Sequence, residues 1–252
     1  MQLTVIGCSG SFPSPGSPAS CYLVEHDGAA LVLDLGNGSL GPLMGAVDLD
    51  RIAGIVISHL HPDHCLDLTA MHVARTYHPD GPADRPLDVY GPTHTARRIE
   101  AAYRTRPDES VPGLQRSFRF HDHPTEARQI GPFLVRRTRV DHPVEAYAIR
   151  VEAAGASLVF SGDTGPSQAL IDLARGADLA LFEASFLEGP ANPPNLHLTG
   201  REAGQHATAA DVGRLVLTHL VSWNDLQQTE AEARGAFDGR LDLAAPGMVV
   251  TL

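Results

Sequence analysis

Short apolar runs, each closed by glycine, proline, serine or a charged residue, punctuate the whole chain. Residues 3–7, 21–25 and 30–34 are rich in Val, Leu and Ile and predict strands. Between the first two, residues 9–20 are dense in Ser, Pro and Gly, which predicts an irregular, exposed loop. A short helix over 40–47 and a buried strand over 52–58 follow. Residues 67–77 predict a helix, 87–90 a strand stopped by Gly91-Pro92, and 93–104 a helix with Thr93 as its N-cap. The second half repeats this order, with strands over 133–140, 147–151 and 158–160, a helix over 167–174 stopped by Gly176, and a strand over 179–182. Thr199 and Glu202 have capping-box spacing at the head of a helix over 199–210. A strand over 215–218, a helix from about 225 to 236 and a strand over 248–251 complete the pattern. Two such halves can stack their sheets and keep their helices outside. The fold class expected is α/β, a four-layer αββα sandwich, with residues 1–252 forming one domain.

Several of these strands run directly into a histidine or aspartate. The densest case is His59-Leu60-His61-Pro62-Asp63-His64, after the apolar Ile55-Val56-Ile57. In an extended segment His59 and His61 point the same way and can share one ion. Pro62 bends the chain, so Asp63 and His64 can turn toward a second ion. Imidazole and carboxylate without thiolate suit Zn²⁺ foremost, with Mn²⁺ or Fe as alternatives, in an open catalytic site. His142 follows the strand over 133–140, Asp163 the strand over 158–160, and His219 the strand over 215–218. Each sits just past a strand, as His59 does, at the edge where α/β proteins build sites.

This order of HxHxDH, a later His, an Asp in Ser161-Gly162-Asp163-Thr164 and a His in Thr218-His219-Leu220 resembles the metallo-β-lactamase superfamily over nearly the whole chain. The resemblance implies two divalent metal ions, one on His59, His61 and His142, the other on Asp63, His64 and His219, with Asp163 bridging both. It also implies that Asp34, in Leu33-Asp34-Leu35-Gly36, supports the histidine loop. Phe182-Glu183-Ala184-Ser185-Phe186 and Leu196-His197-Leu198-Thr199 resemble the Glu and His motifs of the ribonuclease Z branch. The catalytic residues implied are Asp63, which orients the attacking hydroxide between the metals, and the Glu183–His197 pair, which delivers a proton to the leaving oxygen.

Charge and spacing then bear on the substrate. The net charge is -11, from 19 basic and 30 acidic side chains, which argues against a long nucleic acid gripped by its phosphates. Ribonuclease Z carries a long arm between its His and Asp motifs. Here His142 and Asp163 lie 21 positions apart, and predicted strands fill the interval. Gly7-Cys8-Ser9-Gly10-Ser11, Ser17-Pro18-Ala19-Ser20, the run from His61 to Asp67, Tyr77-His78-Pro79 and Pro194-Asn195-Leu196-His197-Leu198 look closer to actinobacterial-type cyclic nucleotide phosphodiesterases. That resemblance implies a small nucleotide partner, hydrolysed from a 3′,5′-cyclic form such as cAMP to the 5′-nucleotide. A ribonuclease Z-like RNA phosphodiesterase is the alternative, and a lactam, lactone or thioester hydrolase a further one. The Gly-Cys-Ser-Gly-Ser stretch lacks the Lys and following helix of a P-loop, and reads as a loop edging the cleft. Cys8, Cys21 and Cys65 are too few for a disulfide framework and fit a reducing compartment. With no leader and no membrane-length apolar run, the expected location is cytoplasmic, without a membrane partner. Relatives by this resemblance are often dimers, so a homodimer is expected, although no stripe marks its interface. Cys65 reads as a small buried residue, and His78 as the best remaining histidine for a substrate contact.

Overall fold

The computed structural model describes residues 1–252 except Pro107 and Pro112. Its elements begin with β1 (Gln2–Gly7), β2 (Cys21–His26), β3 (Ala29–Leu33), α1 (Leu40–Ala46), β4 (Ile52–Val56), α2 (Pro62–Cys65), α3 (Asp67–Thr76), β5 (Leu87–Gly91), α4 (Thr95–Tyr103), α5 (Leu114–Ser117) and β6 (Phe118–Asp122). They continue with β7 (Arg128–Ile130), β8 (Phe133–Arg139), β9 (Tyr147–Ala153), β10 (Ala156–Phe160), α6 (Gln168–Ala174), β11 (Leu179–Glu183), α7 (Gly200–Ala209), β12 (Arg214–Thr218), α8 (Leu226–Arg234), β13 (Arg240–Leu243) and β14 (Val249–Thr251).

The strands form two seven-stranded sheets, ordered β14-β1-β2-β3-β4-β5-β6 and β13-β12-β11-β10-β9-β8-β7. Alternate residues of each strand serve opposite faces, and in the central strands both faces are apolar. Leu31 and Leu33 of β3 and Leu158 and Phe160 of β10 meet in the core between the sheets. Ala30 and Val32 of β3 instead pack outward, with Leu43 of α1 and Leu68 and Met71 of α3. On the second sheet Ala180 and Phe182 of β11 face Leu170 of α6, Ala203 of α7 and Ala233 of α8. Helix, sheet, sheet and helix thus make four layers, the metallo-β-lactamase fold. Two-sided burial explains why the central strands read as continuous apolar runs.

Three strands escaped that reading, and all lie at sheet edges: β6, β7 and β13. β7 and β13 are also short and polar, so the ladder to one neighbour, not burial, makes them strands. The loop over 9–20 is exposed only toward its tip. Its ends are buried, because the Ser9 N–H donates to the Pro18 carbonyl (3.1 Å) and that of Gly10 to the Leu220 carbonyl (3.1 Å). Thr93 does not cap α4. His94 holds that position in a left-handed conformation (φ 73), and Thr93 spends its amide and hydroxyl on Glu145 Oε1, both at 3.3 Å. The capping box at Thr199 and Glu202 forms as expected. Among the described residues, no helix is long and apolar enough to cross a membrane.

What positions the site is parallel pairing. β3, β4 and β5 run parallel in one sheet, and β10, β11 and β12 in the other, so the chain leaves each set at a common edge. Leu33 stands opposite Val56, which brings Asp34 beside Ser58 and His59. Glu183 stands opposite Thr218, which brings it beside His219.

Candidate metal centre and its proton partner

The histidine motif leaves β4 extended, and then turns at Pro62. This bend is one short helix, α2, with proline at its first position, where its missing N–H costs nothing. The turn brings Asp63 and His64 up to Asp163 and His219, while the His64 ring stays beside that of His59, centroids 4.0 Å apart. Ligand-capable atoms of His59, His61, His142 and Asp163 converge within 4.8 Å of one another. A second group, Asp63, His64, Asp163 and His219, does the same. Asp163 is common to both, with Oδ2 3.6 Å from His59 Nε2 and Oδ1 3.2 Å from His64 Nε2.

The outward-facing ring nitrogens are anchored. His64 Nδ1 lies 2.6 Å from Asp34 Oδ2, and His142 Nδ1 lies 2.9 Å from the Leu196 carbonyl. Ser185 Oγ donates to the His219 carbonyl (3.0 Å) and so accepts from His219 Nδ1–H at 2.6 Å. Each anchored imidazole, when neutral, therefore turns its Nε2 lone pair inward. His64 Nε2 and His219 Nε2 meet at 3.2 Å, and His142 Nε2 and His61 Nδ1 at 3.3 Å. Asp163 Oδ1 is buried without a hydrogen-bond partner among the described residues. Converging lone pairs around an unsatisfied buried carboxylate fit divalent cations.

Charge agrees with geometry at His59, His61 and His142; at His64 burial opposes protonation, but the Asp163, Asp34 and Asp63 charges outweigh it and hold that ring above the usual histidine range. Asp34, Asp63, Asp163 and Glu183 are all buried here. Burial holds the His59, His61 and His142 rings below the usual histidine range, so they favour the neutral, ligating form. Burial opposes ionisation of Asp163 and Asp63. The neighbouring imidazoles outweigh it and hold both below the usual carboxylate range, Asp163 chiefly through His219 and Asp63 chiefly through His64.

Beside this cage, buried Glu183 accepts from the Thr164 amide (2.8 Å) and the Ser185 amide (3.2 Å). Its Oε1 is 2.9 Å from His197 Nδ1. Burial lowers the proton affinity of His197, but the Glu183 charge and hydrogen bond more than reverse this and raise its pKa to about 9. His197 precedes the N-cap of α7 by two residues and stacks on His219 at 5.4 Å.

All seven expected ligand positions thus come together, with Asp34, Glu183 and His197 around them. The Gly7–Ser11 stretch does edge the site, since the Ser11 amide reaches His219 Nε2 at 3.3 Å. Cys65 is buried and outside both groups, its thiol pushed up to about 12 by burial. His78 is elsewhere, lining a cleft of about 850 Å³ with Met44 and Asp88. Ser58 and the Leu196 carbonyl were not expected, nor was a role for Ser185. A serine after a strand carries no signal of its own, and a carbonyl carries none at all.

Fold and cage together define a protein of the metallo-β-lactamase type. The chain belongs to the beta-lactamase superfamily, whose domain model matches residues 32–220. Protein ML1173 of Mycobacterium leprae is 42% identical over 250 residues, covering 98% of this chain and 87% of that protein. The crystal structure of the metallo-beta-lactamase fold protein YhfI from Bacillus subtilis superposes with a TM-score of 0.85 at 26% identity, covering 99% of both chains. Ribonuclease Z of Kineococcus radiotolerans is 28% identical over 284 residues, covering 93% of this chain and 88% of that protein.

Proposed function

We propose that this chain is a metal-dependent phosphodiesterase that opens a small 3′,5′-cyclic nucleotide, such as cAMP, to the 5′-nucleotide. The observation that carries this reading is the buried Glu183 holding His197 beside the His/Asp cage. A lactam or thioester hydrolase has less need of such a pair. A phosphodiester expels an alkoxide, which needs a proton. His59, His61 and His142 would hold one cation and Asp63, His64 and His219 the other, with Asp163 shared. The cations, Zn²⁺ by their ligand set, would supply Lewis acidity to the phosphoryl group and to water.

The protein's own part is positioning and proton transfer. Asp63, ionised and set among His64, Asp163 and His219, orients the attacking water. That water adds its oxygen to phosphorus as the P–O3′ bond breaks. His197 gives its proton to O3′, and Glu183 stabilises the charged imidazole before transfer. The proton lost by water replaces it, so the sum is addition of one water. The interval between His142 and Asp163 is filled by β9 and β10, which supports a small substrate over a polymer held by an arm there.

A second reading, ribonuclease Z-like RNA cleavage, is favoured by the similarity to the Kineococcus protein. A panel of cAMP, precursor tRNA and a lactam on metal-loaded protein separates the readings. The expected result is 5′-AMP from cAMP, with kcat reduced about 10²–10⁴-fold in His197→Ala. Cleavage of precursor tRNA with no turnover of any cyclic nucleotide would sink the proposal. Undiminished cAMP hydrolysis by His197→Ala would remove His197 as the proton donor.

A further inference from the structure

His197 opens onto a cleft of about 520 Å³, within the range of about 300–1,000 Å³ that small-ligand pockets occupy. One wall is the segment from Phe186 to His197, and α7 supplies the other through Arg201 and Gln205. The first wall is preorganised. Asn192 Nδ2 donates to the Leu187 carbonyl at 2.8 Å. Asn195 sits in the left-handed region (φ 55), pressed so close to Gly165 that a Cβ there would lie 2.6 Å from Asn195 Cα. The same segment supplies the Leu196 carbonyl that anchors His142 and the His197 ring itself. Cleft and cage are thus parts of one assembly.

Chemistry decides what the cleft receives. In a linear phosphodiester the leaving oxygen departs with a separate fragment. In a 3′,5′-cyclic diester it stays on the ribose that carries the base. The proton donor must face the leaving oxygen, so the space beside His197 must take the nucleoside. Its charges agree. Arg201 is the only Arg or Lys lining the cleft among the described residues, and it is paired with Glu188. Glu202 is engaged in the capping box. No cation is left over there for a further phosphate, while Asn and Gln amides and the half-buried Phe186 suit an uncharged base.

We propose that this cleft is the nucleoside subsite, taking the ribose and base of a cyclic nucleotide; the inference rests on the phosphodiesterase reading. Adenosine is the probe, because it needs no turnover. Calorimetric titration should show saturable binding, competitive with cAMP in kinetics. Gly189→Trp fills the cleft from one wall, where a Cβ meets nothing nearer than the Leu187 carbonyl at 4.0 Å. Gln205→Trp fills it from the exposed face of α7. With metal content and circular dichroism at wild-type levels, both should weaken adenosine binding and raise KM for cAMP about tenfold or more, with a smaller effect on kcat. If cAMP is opened but neither substitution moves KM or adenosine affinity, the subsite is wrong while the function stands. If both tryptophans block adenosine yet no cyclic nucleotide is hydrolysed, the subsite stands and the assigned reaction falls.

Discussion

Asp34 shows how much one side chain decides at the site. It is fully buried after β3 in a left-handed conformation (φ 57), and both its oxygens are used. Oδ1 accepts from the Ser58 amide (2.6 Å), and Oδ2 from the Ser58 hydroxyl (2.8 Å) and His64 Nδ1 (2.6 Å). That last bond fixes the His64 tautomer. In Asp34→Asn, the amide can still accept from Ser58, but it presents N–H groups to His64 Nδ1. The ring then favours the tautomer with its proton on Nε2, pointing into the cage. Zinc affinity, measured by chelator competition, should fall about 10–100-fold with little loss of secondary structure. Unchanged affinity would mean that Asp34 only packs. Asp34 was legible only through the family resemblance that its Leu-Asp-Leu-Gly setting carries, and the metal-capable residues from their place after apolar strands. Ser58, Ser185 and the Leu196 carbonyl were not, because their roles arise only when distant segments meet.

At the level of elements, the close approach of Gly36 to α2 matters as much as any hydrogen bond. A Cβ on Gly36 would lie 1.9 Å from the Asp63 carbonyl oxygen and 2.6 Å from its carbon. Both are backbone atoms, so the short helix carrying Asp63 and His64 would have to move as a unit. The Leu35 amide also donates to the His64 carbonyl at 2.8 Å, which ties the two segments in register. Gly36→Ala should therefore cost about 1–3 kcal/mol in urea unfolding and reduce bound metal as well. Thr199→Ala is the informative contrast. Removing the cap of α7 should cost about 1 kcal/mol while the metal content stays at the wild-type level. Equal metal loss in both variants would show general unfolding instead of displacement of α2. Sequence patterning found the central strands, which are buried on two faces, and also the more exposed β8 and β14 from their β-branched residues. It missed the four-residue helices α2 and α5, too brief to show a period, and the edge strands β6, β7 and β13, which ladder bonds define more than burial.

The whole molecule is held by ties that cross from one sheet to the other beside the cage, and one of them is a histidine. His123 follows β6 of the first sheet, and its Nε2–H donates to the Ile57 carbonyl at 2.8 Å. Its ring packs edge-on against Tyr147 of β9 in the second sheet, centroids 4.7 Å apart. Arg137 of β8 lies over the same tyrosine and donates to the His123 carbonyl. Burial lowers the His123 pKa to about 4, with the Arg137 charge adding to it and the Ile57 bond opposing it. Burial also lowers that of His206, whose Nε2 accepts from the Ser167 amide at 2.9 Å and loses that bond when protonated. Both rings are neutral in the folded protein and titrate near 6.5 once unfolded. The unfolded chain thus binds more protons between these values, and stability rises with pH across that window. It is fully present above about 6.5 and lost as pH falls toward 4. His123 alone should contribute roughly 1–2 kcal/mol of the loss between pH 7 and pH 5. His123→Gln keeps a donor for Ile57 but cannot take up the proton. Urea unfolding of chelator-treated wild type and variant at both pH values isolates the effect from metal release. The wild type should lose more stability than the variant on acidification, by about that amount. An equal loss in the two proteins would show that the seam at His123 does not sense pH.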